Sequence, residues 1–348
     1  MRKTLAVKRA EAAMRGLEFI YHVACDAESF EDYGHDFLFC FYTIASNSRD
    51  DDLRRKARRM GRELARVWRD EHPTVPERIS AYDLSNMVVG SDAADRLGVR
   101  DEKLKPRIRR ALREFAAEDF YGFDPSREPP RDDVPEDCEC GADNRTGRKN
   151  CRRCGRPLEM IGRYGVWIDA LVMTYLAERY GVVAGAPYKD ALKWRPHMLP
   201  YRGAEGGENP DYYWTVYAVT HVVYTLNHYN VYQLSPGWLP EEFEFLLANL
   251  DEAIAQEDPE MTGEFLDCLK AFGLGDDHPL IRKGTRYLLS KQNEDGGWGV
   301  MNAEHTYQRY HPAFTVVNGL RDIAWRGQRL SFPKLKSMLS RPVSKIQA

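Results

Sequence analysis

A chain of 348 residues with 43% hydrophobic side chains is long enough to bury one large core or two modest ones, which excludes a disordered polypeptide. Its 50 basic residues are interleaved with 53 acidic ones, and the net charge of −3 provides no long-range field to recruit nucleic acid or an anionic membrane. No apolar run reaches the roughly 20 residues that span a bilayer, and the amphipathic start MRKTLAVKRAEAAMRG lacks the apolar centre of a signal peptide, so a cytoplasmic location is expected.

Apolar residues recur at three- and four-residue spacing almost throughout and alternating runs are scarce, so the pattern predicts an all-α protein. Helices are expected at 4–25, 34–47, 51–71, 80–97, 102–118, 160–181, 187–198, 211–229, 240–257, 260–273, 278–292 and 309–327. Their limits come from punctuation: the turn Ser46-Asn47-Ser48 before the acidic start Asp50-Asp51-Asp52, the break at 98–101, and Pro240 and Pro259 at helix starts. Residues 119–157 are rich in Pro, Asp and Arg and carry too few apolar residues for another hairpin. The expected division is therefore two helical halves, 1–118 and 158–330, an insertion at 119–157, and a C-terminal tail at 331–348.

The insertion holds its own source of order. Cys138-Glu139-Cys140-Gly141 and Cys151-Arg152-Arg153-Cys154-Gly155, ten residues apart, supply four thiolates in two tight turns, a zinc-ribbon-like knuckle pair. Four soft ligands with no open position suit a structural Zn²⁺, whose binding contributes roughly 10–16 kcal/mol in small zinc peptides. The single spacer in the first pair leaves iron, or a ligand from Asp137 or Asp143, as alternatives. Arg145, Arg148, Lys149, Arg152 and Arg153 would offer a surface to a protein partner or to nucleic acid, the latter disfavoured by the acidic balance of the chain. Of the other cysteines, Cys25, Cys40 and Cys268 lie singly in helical stretches, where buried free thiols are expected.

Every second predicted helix places a polar residue immediately before an apolar run: Asp36, Asp83, Asp169, His221, Asp267 and His311. If these helices line a common cavity, the side chains converge near one mouth, as a metal or acid–base site requires; otherwise they cap helices or sit satisfied in the core. His221 also belongs to the stripe Tyr217, His221, Tyr224, His228, which shares one helix face. Asp132-Asp133-Val134-Pro135-Glu136 imitates a diphosphate-binding motif, but Pro135 removes the helix that would aim its carboxylates. The loop 199–210 is flexible by composition, and Arg202 in it would meet an anion if the loop closed over a substrate.

Residues 282–298, RKGTRYLLSKQNEDGGW, fill every position of a known repeat: Lys283-Gly284 opens it, Tyr287-Leu288 face the core, Gln292 caps the helix end, and the Gly pair turns the chain so that Trp298 packs back. The order resembles the QW repeat of squalene-hopene and oxidosqualene cyclases. Tyr310-His311-Pro312-Ala313-Phe314 resembles the inner helix that follows it there and in protein prenyltransferase β subunits. Arg15-Gly16-Leu17-Glu18-Phe19-Ile20 is similar to a degenerate second copy. The resemblance implies an α/α toroid of about six helical hairpins, its alternate helices lining a central cavity.

Prenyltransferase β subunits hold a catalytic zinc through an Asp, a Cys and a His, and Asp267, Cys268 and His311 look like the corresponding positions. Asp267 and Cys268 are adjacent, however, and point about 100° apart on a helix, which makes His221 or Glu264 the better third ligand. The Asp-x-Asp-Asp and Asp-Cys-Thr-Ala-Glu motifs of the cyclases and the Cys-His pair of lanthionine cyclases are missing. The expected activity is metal-assisted chemistry on a small, partly apolar, prenyl- or terpenoid-like substrate. His221, Asp267 and His311 would hold a divalent zinc or iron, Asp36 and Asp169 would act as ligands or acid–base groups, and Tyr217 and Tyr224 would shape the wall. A non-catalytic protein that binds a peptide, lipid or partner through the cavity or knuckle is the alternative.

Overall fold

The structure, a computed structural model, describes residues 3–136, 138, 140, 142, 144 and 147–339. It is mostly helical: α1 (Leu5–Ala24), α2 (Ala27–Asn47), α3 (Asp51–Glu71), α4 (Ala81–Leu97), α5 (Leu104–Ala111), α6 (Ala117–Tyr121), α7 (Arg163–Tyr180), α8 (Tyr188–Leu192), α9 (Tyr212–Leu226), α10 (Pro240–Ala255), α11 (Pro259–Ala271), α12 (Pro279–Ser290), α13 (Thr306–Leu320) and α14 (Lys336–Leu339). Among the described residues, a single antiparallel pair, β1 (Val134–Pro135) with β2 (Met160–Ile161), makes the sheet. No helix here is long and apolar enough to cross a membrane.

Helix starts follow side-chain caps. Thr4, Asp26, Asp50, Ser80 and Asp258 each accept a backbone N–H from the first turn that follows. The Asp26 cap is why α2 begins at Ala27, seven residues before the position expected from periodicity. The expected helix 102–118 breaks into α5, a 3-10 turn at 112–114, and α6, whose start is held by the Asp119 carboxylate accepting from Ala116 N (2.7 Å). α13 stops at Leu320 instead of 327 because the next residues run extended and bond to the end of α2, Arg49 N to Asp322 O at 2.8 Å and Ala324 N to Asn47 O at 2.7 Å.

Helix contacts follow one succession: α2 packs on α4, α4 on α7, α7 on α9, α9 on α11, α11 on α13, and α13 again on α2. The helices between them in sequence lie against these: α1 on α2 and α13, α3 on α2 and α4, α5 on α4, α8 on α7, α10 on α9 and α11, α12 on α11. Close approaches depend on glycine. A methyl group on Gly263 would stand 2.8 Å from the Thr315 backbone, and one on Gly319 would stand 2.6 Å from Gly263 O, so α11 and α13 meet backbone to backbone.

The repeat at 282–298 ties α12 to α1. Trp298 is buried, its indole N–H donates to Leu288 O (2.8 Å), and its ring lies where a Gly16 methyl would fall, 2.7 Å away. Gln292 does not cap its own helix; its amide donates to Ala12 O (3.0 Å) and to Gly296 O (2.9 Å). Arg15 completes the seam through the carbonyls of Asn293 (3.0 Å) and Glu294 (2.8 Å). Leu288 is buried as expected, whereas Tyr287 is half-buried beneath Lys291.

Two expected boundaries shift. Tyr121 and Phe123 belong to the main core, so the insertion proper begins near the Asp132 carboxylate, which accepts from Arg163 N (2.9 Å) at the start of α7. This capping role, with Asp133 paired to Arg131 (2.7 Å), accounts for the imitation diphosphate motif. The segment expected as a tail is docked through residue 339: Ser331 N donates to Leu226 O (2.8 Å), Phe332 packs on Tyr188, and Leu339 is buried. Residues 340–348 lie outside the described residues.

Candidate functional site

A cavity of about 530 Å³ opens among α2, α4, α6, α7, α9, α11 and α13, and Asp36, Asp169, His221, Tyr224, Asp267 and His311 all line it. Its walls are aromatic: Phe39 meets Tyr229 edge-on at 4.8 Å between centroids, with Phe314 at 6.4 Å, and Tyr33, Tyr307 and Tyr310 cluster beside them. Asp83 is absent from the lining; it is exposed in the first turn of α4 and accepts from Ser80 Oγ (2.7 Å). His35 lines the cavity, while His22 is exposed elsewhere.

The expected metal triad is on the cavity but does not form a ligand set. Among the described residues, the four cysteines are the one group of three or more such donors lying within 4.8 Å of one another. His311 instead directs Nδ1 to Glu260 Oε1 (2.9 Å), His221 Nδ1 is bonded to Tyr217 O (2.8 Å), and Asp267 Oδ2 accepts from Asn230 Nδ2 (2.6 Å). Tyr217 is a second correction: its hydroxyl donates to Glu260, behind His311, and does not reach the wall. Cys268 is buried with Sγ toward Thr220 O (3.8 Å), away from the cavity lining.

The result is a set of proton-bearing groups with displaced affinities. Burial alone would push the His311 imidazole down, but the charge of Glu260 and their hydrogen bond override it and raise it to about 9. Glu260 moves the other way: burial opposes its charge, yet His311 holds it below its ordinary value. Glu264, one turn on, is raised by burial to about 8 against the opposing bond from Thr220 Oγ1 (2.7 Å), so its carboxyl is neutral near pH 7. His221 is pushed down by burial to about 4 and is a neutral imidazole. Asp169 lies deep in the protein mass but opens on the cavity, and desolvation raises it to about 7. Asp36 accepts the Tyr310 hydroxyl.

Glu260 went unnoticed in the sequence because an acidic residue just after Pro259 reads as an ordinary first-turn charge. The signal was its spacing, since Glu260, Glu264 and Asp267 at i, i+4 and i+7 form a carboxylate stripe on a helix buried along nearly its whole length. The aromatic stripe on α9 ends early: His228, Tyr229 and Asn230 take left-handed backbone angles (φ 61, 47 and 68°), which carries Tyr229 and Asn230 into the cavity and turns His228 aside to Tyr175 Oη (2.8 Å). Three consecutive non-glycine residues in this region are strained by about 1–2 kcal/mol each. Asn47 Nδ2 secures the turn by donating to Tyr229 O (3.2 Å) and Asn230 O. The loop at 199–210 lines no part of the cavity, and the Arg202 guanidinium is engaged by Glu205 (3.0 Å).

The four cysteines of the insertion can bind a metal ion such as zinc. Cys138 and Cys154 Sγ lie 3.5 Å apart, as do Cys140 and Cys151 Sγ; a tetrahedron with Zn–S of about 2.3 Å has edges of about 3.8 Å. N–H groups of Cys154 and Arg153 point at Cys151 Sγ and lower its thiol, while Cys138 in the same cluster is raised, so in the absence of an ion the four share their protons unequally. Cys25 departs from expectation: it is exposed at the end of α1, while Cys40 and Cys268 are buried. Asp137, Asp143 and Arg145 lie outside the described residues. Set against known proteins, the chain matches no protein-family model, no curated protein and no solved structure.

Proposed function

We propose that the chain is an α/α toroid, with α2, α4, α7, α9, α11 and α13 as its inner ring, whose central cavity performs acid–base chemistry on a small, partly apolar, prenyl- or terpenoid-like substrate. The succession of helix contacts that returns to α2 supports the ring. The observation that carries the chemistry is the grouping, on one aromatic-walled cavity, of a neutral Glu264, a neutral His221 and a His311 imidazolium backed by Glu260. Environments that push neighbouring groups apart in proton affinity assign an acid and a base. Here Glu264 or His311 donates a proton to the substrate, and His221 or the Asp36 carboxylate accepts one.

The aromatic walls hold the apolar body of the substrate and offer their π faces to positive charge developing on it. A metal on His221, Asp267 and His311 is not part of this reading, because among the described residues only the four cysteines bring three or more such donors within 4.8 Å of one another. Zinc in the Cys138, Cys140, Cys151 and Cys154 knuckle is assigned a structural role, fixing the segment beneath α7.

The test is turnover of a panel of prenyl alcohols and terpenoid hydrocarbons, followed by mass spectrometry. Conversion by the wild type, falling by about 10²–10⁴-fold in Glu264→Gln and in His311→Gln with helicity retained, is the expected result. Binding without conversion, equal in wild type and both variants, would reduce the cavity to a non-catalytic binding site.

A further inference from the structure

Three helices pass down the cavity side by side, and each carries one group at the acid–base level and another seven residues further on: Asp36 and Thr43 on α2, Glu260 and Asp267 on α11, His311 and Asn318 on α13. Contacts at both ends show that they run parallel. Tyr310 bonds Asp36 and His311 bonds Glu260 at one end, while Lys270 bonds the carbonyl of Gly319 and Arg321 Nη1 bonds Asn47 Oδ1 (2.7 Å) at the other. Seven residues of helix amount to about 10 Å. The cavity therefore has a polar floor about 10 Å below Asp36 and His311, with Glu264 between the two levels, about 4.5 Å above Asp267.

Two atoms of that floor are unfinished. Asp267 is 1% exposed, and while its Oδ2 accepts from Asn230, its Oδ1 has no partner within the protein. Thr43 is equally buried at 1%, and its Oγ1 has no partner either. Both residues line the cavity. A buried polar atom left without a hydrogen bond costs about 1–3 kcal/mol, a cost recovered when a ligand supplies the missing group. Resting on the acid–base reading of the cavity above, we propose that its floor is a binding site for a hydroxyl group at one end of the substrate, which donates to Asp267 Oδ1 and accepts from Thr43 Oγ1.

The charge around the floor selects a hydroxyl over an ammonium. Burial raises Asp267 above its ordinary value, and the charges of Arg321 and Lys270 only partly oppose this; a further cation would add to the positive charge already beside it, while a neutral group that both donates and accepts completes the pattern. The body of the ligand then rises past Phe39, Tyr229 and Phe314, and its far end reaches the acid–base groups. With His311 as the proton donor, the substrate is thus an alcohol whose reacting carbon lies about 10 Å from the oxygen that anchors it, a span close to the extended carbon chain of a ten-carbon prenyl alcohol.

Calorimetric titration of the full-length protein with geraniol, geranylamine and the matching hydrocarbon without the hydroxyl tests the assignment. Geraniol should bind about 10-fold or more tighter than the hydrocarbon, and tighter than the amine. Thr43→Val, nearly equal in shape, should erase most of that preference while leaving hydrocarbon affinity and the melting temperature in place; Asp267→Asn supplies a second reading should Thr43→Val fold poorly. Equal affinity for alcohol and hydrocarbon, preference for the amine, a preference unchanged in both variants, or no binding of any probe would each overturn the proposal. Preferred binding of geraniol without turnover of any panel member leaves the anchor standing and removes the catalytic reading; turnover without hydroxyl preference does the reverse.

Discussion

His311 and Glu260 hold each other charged inside the protein, and the sign of both displacements fixes how stability depends on pH. His311 is raised above its ordinary 6.5, so its contribution is fully present below pH 6.5 and is lost as pH rises through about 9. Glu260 is lowered from 4.5, so its contribution is present above that value and lost as pH falls through its displaced affinity. Glu260→Gln should therefore cost on the order of a few kcal/mol between these limits, with the gap from wild type closing on the alkaline side, as read from urea melts across pH. Nuclear magnetic resonance of the His311 ring should show its midpoint drop from about 9 toward or below 6.5 in the same variant. Asp36, Asp169, His221, Asp267 and His311 were legible because each polar residue interrupts an apolar run at the point where its helix meets a cavity. Their partners were not: that Glu260 stands at His311 Nδ1 is decided across two helices, and spacing along one cannot show it.

At the scale of elements, periodicity placed nearly every helix, and the errors mark positions where tertiary bonds overrule local preference. α13 ends where its continuation pairs with the end of α2, and α9 ends where Asn47 and Asn227 hold a left-handed turn that composition does not announce. The α11–α13 contact rests on Gly263 and Gly319, whose neighbours are backbone atoms unable to yield as a side-chain tip can. Gly263→Ala should destabilise by about 1–3 kcal/mol or more and also separate Glu260 from His311, so the loss of stability in melts should come with a lowered His311 midpoint. Trp298→Ala should cost about 3–5 kcal/mol without moving that midpoint, because Trp298 packs at Gly16 and bonds Leu288 and lines no part of the cavity.

For the molecule as a whole, the repeat at 282–298 pointed to an α/α toroid, of which the structure shows the helical class, and the cysteine spacing pointed to a clustered thiolate site; what neither revealed is how the insertion joins the rest. Chelation of the metal, or Cys151→Ser with Cys154→Ser, should release the knuckle at 132–161 while far-ultraviolet circular dichroism keeps most of its helical signal, with one equivalent of zinc recovered from the wild type. Loss of the whole helical signal would mean that the knuckle nucleates the fold instead of decorating it.

The Gln292 amide reaches back 280 positions to the carbonyl of Ala12. During synthesis α2 follows α1 at once, but α13, the other helix on which α1 packs, comes about 300 positions later, so at about 5–20 residues per second that face of α1 waits on the order of half a minute uncovered. The pocket lacks one wall for all that time, and no nascent fragment short of α13, which carries His311, Phe314 and Asn318, has a reason to retain a ligand.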